Sequence, residues 1–314
     1  MRTSETHTEN KKAIMITGVI LNYKRFAVHD GDGIRTTLFV KGCPLSCKWC
    51  HNPEGIGAGA QLAYYGQKCI GCGECAAVCP HGAQTCDEKG HHYLRETCAS
   101  CGACADRCLG DALIFYGKRV TAEEAAETLC EDRAFFRASG GGVTISGGEP
   151  LLQSVFCAEV FRLVRQEGIS TVLDTCGFAP REALDRVLPY TDTVLFDIKA
   201  YREDVHRALT GQSNKLILEN LAYLDTIGKP TEIRIPLIPG ANDGELPGIA
   251  ALLSRYSVIT AVRVLPYHPY AESKYASLGM TYPGKDFRIP EKAEIERAAE
   301  TLRGAGLKVI LPGE

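Results

Sequence analysis

Cys43, Cys47 and Cys50 stand in the segment GCPLSCKWCHNPEG with a C-x3-C-x2-C spacing. A 4Fe–4S cube needs one external ligand for each of its irons, so three cysteines leave one iron open to bind something else. A zinc knuckle is the competing reading. Zinc sites pair C-x2-C units and close them with a fourth ligand, and this segment supplies no such closure. The triad therefore asks for a fold in which a short loop, fed by a strand, holds a cluster with one accessible corner.

A second cysteine group is as specific as the first. Cys69, Cys72, Cys75 and Cys79, followed by Pro80, are matched by Cys98, Cys101, Cys104 and Cys108. Both runs read C-x2-C-x2-C-x3-C, the bacterial two-cluster ferredoxin spacing, in which the fourth cysteine ligates the other cluster. On that pattern Cys69, Cys72, Cys75 and Cys108 hold one 4Fe–4S cluster, while Cys98, Cys101, Cys104 and Cys79 hold the other. The expected total, with the triad, is three clusters. Eleven cysteines in ligand spacing without a secretory leader fit a reducing, cytoplasmic compartment rather than a disulfide scaffold. Cys86, Cys130, Cys157 and Cys176 have no ligand spacing and read as small buried or surface residues.

The 314 residues allow about two domains, and a hydrophobic fraction of 45% is enough for a sizeable core. A net charge of −3 advertises no nucleic-acid surface. No apolar run reaches the roughly 18 residues of a membrane span. Residues 1–13 read as a polar, frayed tail.

The remainder alternates strand-like and helix-like segments. Strands are expected at 37–40, 143–146, 171–174, 193–197, 231–236, 261–265 and 307–311. Helices are expected at 152–167, at 180–188 starting with Pro180, and at 202–210, 215–228, 246–256 and 290–304. This rhythm predicts an α/β fold, a partial (open) TIM-like β/α barrel built on a parallel sheet. Residues 14–64 and 118–314 form that barrel, and 65–117 form an inserted ferredoxin-like domain too poor in apolar residues to fold without its clusters. Functional residues of such folds lie at the C-terminal ends of strands. Gly147, Gly148 and Glu149 in SGGEP, Asp174 and Thr175 in LDTCGF, Asp197 and Lys199 in LFDIK, and His268 in LPYH fall there, and Arg234 lies on the strand expected at 231–236.

The cysteine triad with Trp49 before its last member, together with SGGEP downstream, resembles the radical S-adenosylmethionine (SAM) enzymes. DGDGIR (30–35), CHNPE (50–54), LDT and DIK resemble, more narrowly, the glycyl-radical-enzyme activating enzymes. The resemblance implies that SAM binds the open iron by its amino and carboxylate groups. Reductive cleavage then gives methionine and a 5′-deoxyadenosyl radical, which takes hydrogen from a glycine Cα of a partner enzyme. It assigns Cys43, Cys47, Cys50 and Lys199 to catalysis. Trp49, Gly147, Gly148, Glu149, Asp174, Asp197, Lys199, Arg234 and His268 would contact SAM: the Gly-Gly-Glu segment at its amino group, Lys199 and Arg234 at its carboxylate, His268 at its ribose. Asp174, Thr175 and Asp197 would bind a monovalent cation, Na+ or K+, and Asp30 would meet the partner's glycine loop.

The insert places the chain with activases of lyases and dehydratases acting on glycerol, choline, 4-hydroxyphenylacetate, hydroxyproline, sulfonates or aryl succinates. Asp32 stands where the family usually has proline, and Cys176 where one branch has asparagine. The expected reductant is a flavodoxin or ferredoxin, and the expected state a monomer with no nucleic-acid or membrane partner. Two rival readings are a radical SAM enzyme acting on a small molecule or peptide, and a non-catalytic electron carrier. Both cysteine quartets being complete speaks against the first, and the open triad against the second.

Overall fold

The computed structural model describes residues 15–313, so the tail expected at 1–13 lies outside them. Thirteen strands occur among these residues. In chain order they are β1 (Thr17–Ala27), β2 (Arg35–Val40), β3 (Gln61–Tyr64), β4 (Gln84–Asp87), β5 (Gly90–Tyr93), β6 (Leu113–Tyr116) and β7 (Lys118–Thr121). Then follow β8 (Gly142–Gly147), β9 (Ser170–Thr175), β10 (Thr193–Asp197), β11 (Thr231–Leu237), β12 (Ile259–Pro266) and β13 (Val309–Ile310).

Nine of them form one open sheet in the order β13-β12-β11-β10-β9-β8-β2-β1-β7. From β2 to β13 neighbouring strands are parallel. The sheet is not wholly parallel, as the β/α rhythm alone implied: β1 pairs antiparallel with both β2 and β7. This edge was not foreseen, because β1 alternates poorly and its pairing with β2 carries two register irregularities.

Helices cover the sheet as its apolar pattern requires. Ser154–Gln166 buries Phe156, Val160, Phe161 and Val164, one helical stripe laid against the sheet. The expected helix start at 152 is instead a 3-10 turn, Pro150–Gln153, with the α-helix beginning at Ser154. Pro180 is the N-cap, in extended conformation, of the helix Arg181–Val187 rather than its first residue. The helix begun at Leu246 stops at Leu253, and the last helix starts at Lys292 rather than Pro290. Two helices that sequence periodicity did not mark, Ala122–Cys130 and Arg133–Ser139, follow β7. The first is held by a capping box between Thr121 and Glu124.

The segment carrying the eight cysteines leaves and re-enters through β3 and β6, which pair antiparallel. Inside it β4 and β5 form a hairpin between the two cysteine runs. Arg35, from DGDGIR, is 1% exposed and ties β2 to its neighbours. Its guanidinium donates to Thr144 Oγ1 at 2.8 Å and to the Val143 carbonyl at 2.7 Å. It is a structural residue.

Candidate active site

The cysteine triad sits on the loop that leaves β2. Backbone bonds pin this loop on two sides. Cys43 N–H donates to the Ile56 carbonyl at 3.0 Å, and Ser46 N–H donates to Thr210, at the end of the helix Glu203–Thr210, at 2.8 Å. The Gly-Gly-Glu turn after β8 clamps its root: Gly148 N–H donates to the Val40 carbonyl at 2.8 Å and Glu149 N–H to the Gly42 carbonyl at 2.7 Å. The two glycines are required by this contact. A Cβ on Gly147 would meet Val40 N at 2.4 Å, and one on Gly148 would meet Gly42 O at 2.2 Å. The strand turn thus approaches the loop as closely as backbone allows.

Strand ends and cysteine loop enclose one cavity of about 830 Å³. That is within the roughly 300–1,000 Å³ of small-molecule sites. Cys43, Cys47 and Cys50 line one part of it, with Trp49 between them. Gly147, Gly148, Asp174, Asp197, Lys199, Arg234 and His268 line the rest, together with Asp30. Register explains the convergence: Asp197 lies beside Arg234 across β10 and β11, and Asp174 lies beside Leu195.

The charged groups are paired. Lys199 Nζ donates to Asp197 Oδ2 at 2.7 Å. Burial would lower its ammonium, but Asp197 and the nearby Cys47 and Cys176 outweigh this and raise it well above the usual value. Arg234 donates to Asp174 at 3.2 Å and to the His29 carbonyl, and Asp30 stands 3.8 Å from it. Its Nε is buried without a protein partner. Burial pushes the Asp174 carboxyl up to about 6, against the pull of Arg234, and Ser146 donates to it at 2.6 Å. Burial pushes the Cys47 thiol up to about 11 and the Cys50 thiol up to about 12.

Two of the residues marked in the sequence are bonded to each other. Glu149 is fully buried and points away from the cavity, accepting from Leu151 N at 2.9 Å, Thr175 Oγ1 at 2.7 Å and Cys176 N at 2.8 Å. Its carboxylate holds the turns after β8 and β9 together. Thr175, next to Asp174 on β9, is buried and is the donor of that 2.7 Å bond.

Three further cavity residues were missed. Ser146 lay within the quoted SGGEP. His51, within CHNPE, stacks on His268 at 4.0 Å and bonds its carbonyl at 3.1 Å. Cys176, read only as a small residue, is buried and lines the cavity, where its hydrogen bond with Cys43 lowers the Cys43 thiol. Two histidines near opposite ends of the motif set were the available signal for the stack.

Between β3 and β6 the eight cysteines of the two runs divide between two small cavities. Cys69, Cys72, Cys75 and Cys108 line one, and Cys79, Cys98, Cys101 and Cys104 line the other. Backbone N–H groups point at their sulfurs: Ala83 to Cys79 at 3.2 Å, Ala112 to Cys108 at 3.2 Å and Ser100 to Cys98 at 3.4 Å. Among the described residues no three His, Cys, Asp or Glu side chains are gathered tightly enough for one metal ion.

A family model described as the Radical SAM superfamily matches residues 37–253, and the chain belongs to that superfamily. It is 38% identical over 306 residues to the (2S)-3-sulfopropanediol dehydratase activating enzyme of Klebsiella oxytoca, covering 94% of this chain and 96% of the relative. It is 40% identical over 275 residues to the isethionate sulfite-lyase activating enzyme of Desulfovibrio desulfuricans, covering 85% and 88%. It is 36% identical over 299 residues to the trans-4-hydroxy-L-proline dehydratase activating enzyme of Clostridioides difficile, covering 94% and 99%. Within the superfamily the chain thus falls among the glycyl-radical-enzyme activating enzymes. The crystal structure of Streptococcus suis SuiB bound to precursor peptide SuiA shares the fold, with a TM-score of 0.52 at 14% identity, over 86% of this chain and 46% of that one.

Proposed function

We propose that this protein activates a partner glycyl radical enzyme, with Cys43, Cys47 and Cys50 holding a 4Fe–4S cluster and SAM bound against its open corner. The carrying observation is that the triad shares one cavity with the Asp197–Lys199 pair, Arg234 and His268. The names of the relatives favour activation over the small-molecule and electron-carrier readings. When bound, the cluster supplies the electron that cleaves SAM to methionine and the 5′-deoxyadenosyl radical.

The chain's own residues do the positioning. Lys199 and Arg234 are buried cations that meet a carboxylate without first being desolvated. His268, held by the His51 stack, would meet the ribose. The Gly147–Gly148 backbone holds the cysteine loop rigid. Asp174, Thr175 and Asp197 would hold a monovalent cation, Na+ or K+, with the Thr175 hydroxyl donating its proton to Glu149 at 2.7 Å and keeping its oxygen lone pairs. Asp30, at the same cavity and bonded by Thr37 at 2.8 Å, is positioned for the partner's glycine loop.

The two quartets hold two further 4Fe–4S clusters that accept electrons from a flavodoxin or ferredoxin. Supporting this is the sorting of sulfurs between two cavities, Cys108 with the first run and Cys79 with the second. A buried, unpartnered His91 Nδ1 also stands on a residue lining the first cavity. The partner class is a lyase or dehydratase of the kind the relatives serve.

The test is the triple variant Cys43→Ala/Cys47→Ala/Cys50→Ala, reconstituted anaerobically. It should form no 5′-deoxyadenosine yet keep about 8 of about 12 iron atoms per chain. Continued 5′-deoxyadenosine formation overturns the site, and a wild-type plateau near about 4 irons overturns the insert clusters.

A further inference from the structure

The β4–β5 hairpin carries polar side chains where ordinary packing would ask for apolar ones. Its register sets Gln84 opposite Tyr93 and Cys86 opposite His91. Strand periodicity therefore puts these four on one face. That face looks onto the cysteine cavities. Gln84 lines the cavity of Cys79, Cys98, Cys101 and Cys104, and His91 lines that of Cys69, Cys72, Cys75 and Cys108. The opposite face is ordinary surface, where His92 bonds Asp87 at 3.0 Å.

Gln84 is 2% exposed, so its amide must be satisfied within the protein. Both ends are. Its Nε2 donates to Cys104 Sγ at 3.6 Å, and its Oε1 bonds His91 Nε2 at 2.7 Å. The orientation follows from the partners. A cysteine sulfur that ligates iron only accepts, so the amide nitrogen faces it, and the oxygen is left to accept the His91 Nε2 proton. His91 is itself held by its ring contact with Tyr64, 4.6 Å between centroids.

We propose that Gln84 sets the reduction potential of the cluster held by Cys79, Cys98, Cys101 and Cys104, and that His91 is the positioning residue that keeps the amide aimed at Cys104. This rests on the reading that the quartets hold 4Fe–4S clusters. Reduction adds one electron, and part of the added charge resides on the ligand sulfurs. An N–H directed at one of them stabilises the reduced state more than the oxidised one and raises the potential. The bridge makes the two clusters unequal: the amide serves one, and its anchor comes from the wall of the other.

The experiment uses the Cys43→Ala/Cys47→Ala/Cys50→Ala background, so that only insert clusters are present, with no SAM added. Iron content is measured first, then both potentials by redox titration followed by electron paramagnetic resonance. Gln84→Leu should keep about 8 irons and lower one of the two potentials. The expected shift is about tenfold in the oxidised-to-reduced ratio, or 59 mV for a one-electron couple. Gln84→Glu, which removes the donor and adds negative charge, should lower the same potential further. His91→Leu, which keeps the amide but frees it, should shift it by less than Gln84→Leu. Full iron with both potentials unchanged in Gln84→Leu and His91→Leu overturns the inference while the clusters stand. A background protein that takes up no insert iron overturns the cluster reading itself. Should Gln84→Leu lose iron, His91→Leu decides: a lowered single potential supports the inference and an unchanged pair refutes it.

Discussion

Replacing Glu149 by Gln separates two roles for the glutamate of the Gly-Gly-Glu turn. Its two oxygens accept three donors, Leu151 N, Thr175 Oγ1 and Cys176 N, at 2.7–2.9 Å, and the side chain is 0% exposed. In Glu149→Gln one oxygen still takes two donors. The new amide group then points its own hydrogens at the Cys176 N–H. The loss is one charge-assisted bond, about 1.5–3 kcal/mol, plus a buried unsatisfied donor, about 1–3 kcal/mol. Relief from burying a charge offsets part of this, since burial already raises the Glu149 carboxyl above its usual value. A net cost of about 2–4 kcal/mol follows. In a chain of 314 residues that lowers Tm by roughly 3–6 °C. The assay is thermal unfolding of reconstituted protein without SAM, beside SAM affinity measured on folded protein at low temperature. A buried tie between the turns predicts a large Tm loss without any ligand. An unchanged Tm with weakened SAM binding would refute the geometry and restore the ligand-facing role read from the motif.

Asp174 gives a pH test in the Cys43→Ala/Cys47→Ala/Cys50→Ala protein, which is expected to keep its insert iron. Its folded carboxyl is raised to about 6, so its contribution to stability is present below about pH 4 and is lost as pH rises through about 6. The loss is about 3 kcal/mol at 1.36 kcal/mol per unit. Urea unfolding between pH 4 and 7 should show that fall in wild type and not in Asp174→Asn, and an identical slope in both would sink the assignment. Gly177, with φ of +70°, has Phe196 atoms 2.3 Å from where a Cβ would stand. Gly177→Ala should therefore destabilise by about 2–4 kcal/mol through strain and overpacking, and a Tm equal to wild type would contradict it. Cys72 and Cys101 line different insert cavities. Cys72→Ala/Cys101→Ala should lower turnover with a protein reductant more than with dithionite. Equal loss with both and unchanged binding to the partner enzyme would leave the insert only a folding role.

Much of the site was legible in the chain because metal-ligand spacing is local. Cys43, Cys47 and Cys50 lie within one loop, and the spacing of Cys69–Cys79 and Cys98–Cys108 needs no knowledge of the fold to be recognised. Asp174, Asp197, Arg234 and His268 were legible one step further out, because alternating strands and helices place successive strand ends on one rim. The strand β1 was not, since its bulged pairing with β2 breaks the two-residue period on which recognition depends.

Tertiary structure alone decided which way several of these side chains face. Glu149 follows a strand end as Asp174 nearly does, yet one carboxylate is turned into the protein by three donors and the other lines the cavity. The glycines before Glu149 answer to Val40 and Gly42, residues of a strand and loop over a hundred positions earlier. Cys176 has no ligand spacing, yet it lies against Cys43. Gln84 and His91 became partners only when a hairpin set them across from one another between two cavities. Spacing in the sequence names the atoms that can bind a cluster or an ion. The direction of a side chain at a turn is set by donors and backbone from distant segments, and these meet only in the folded chain.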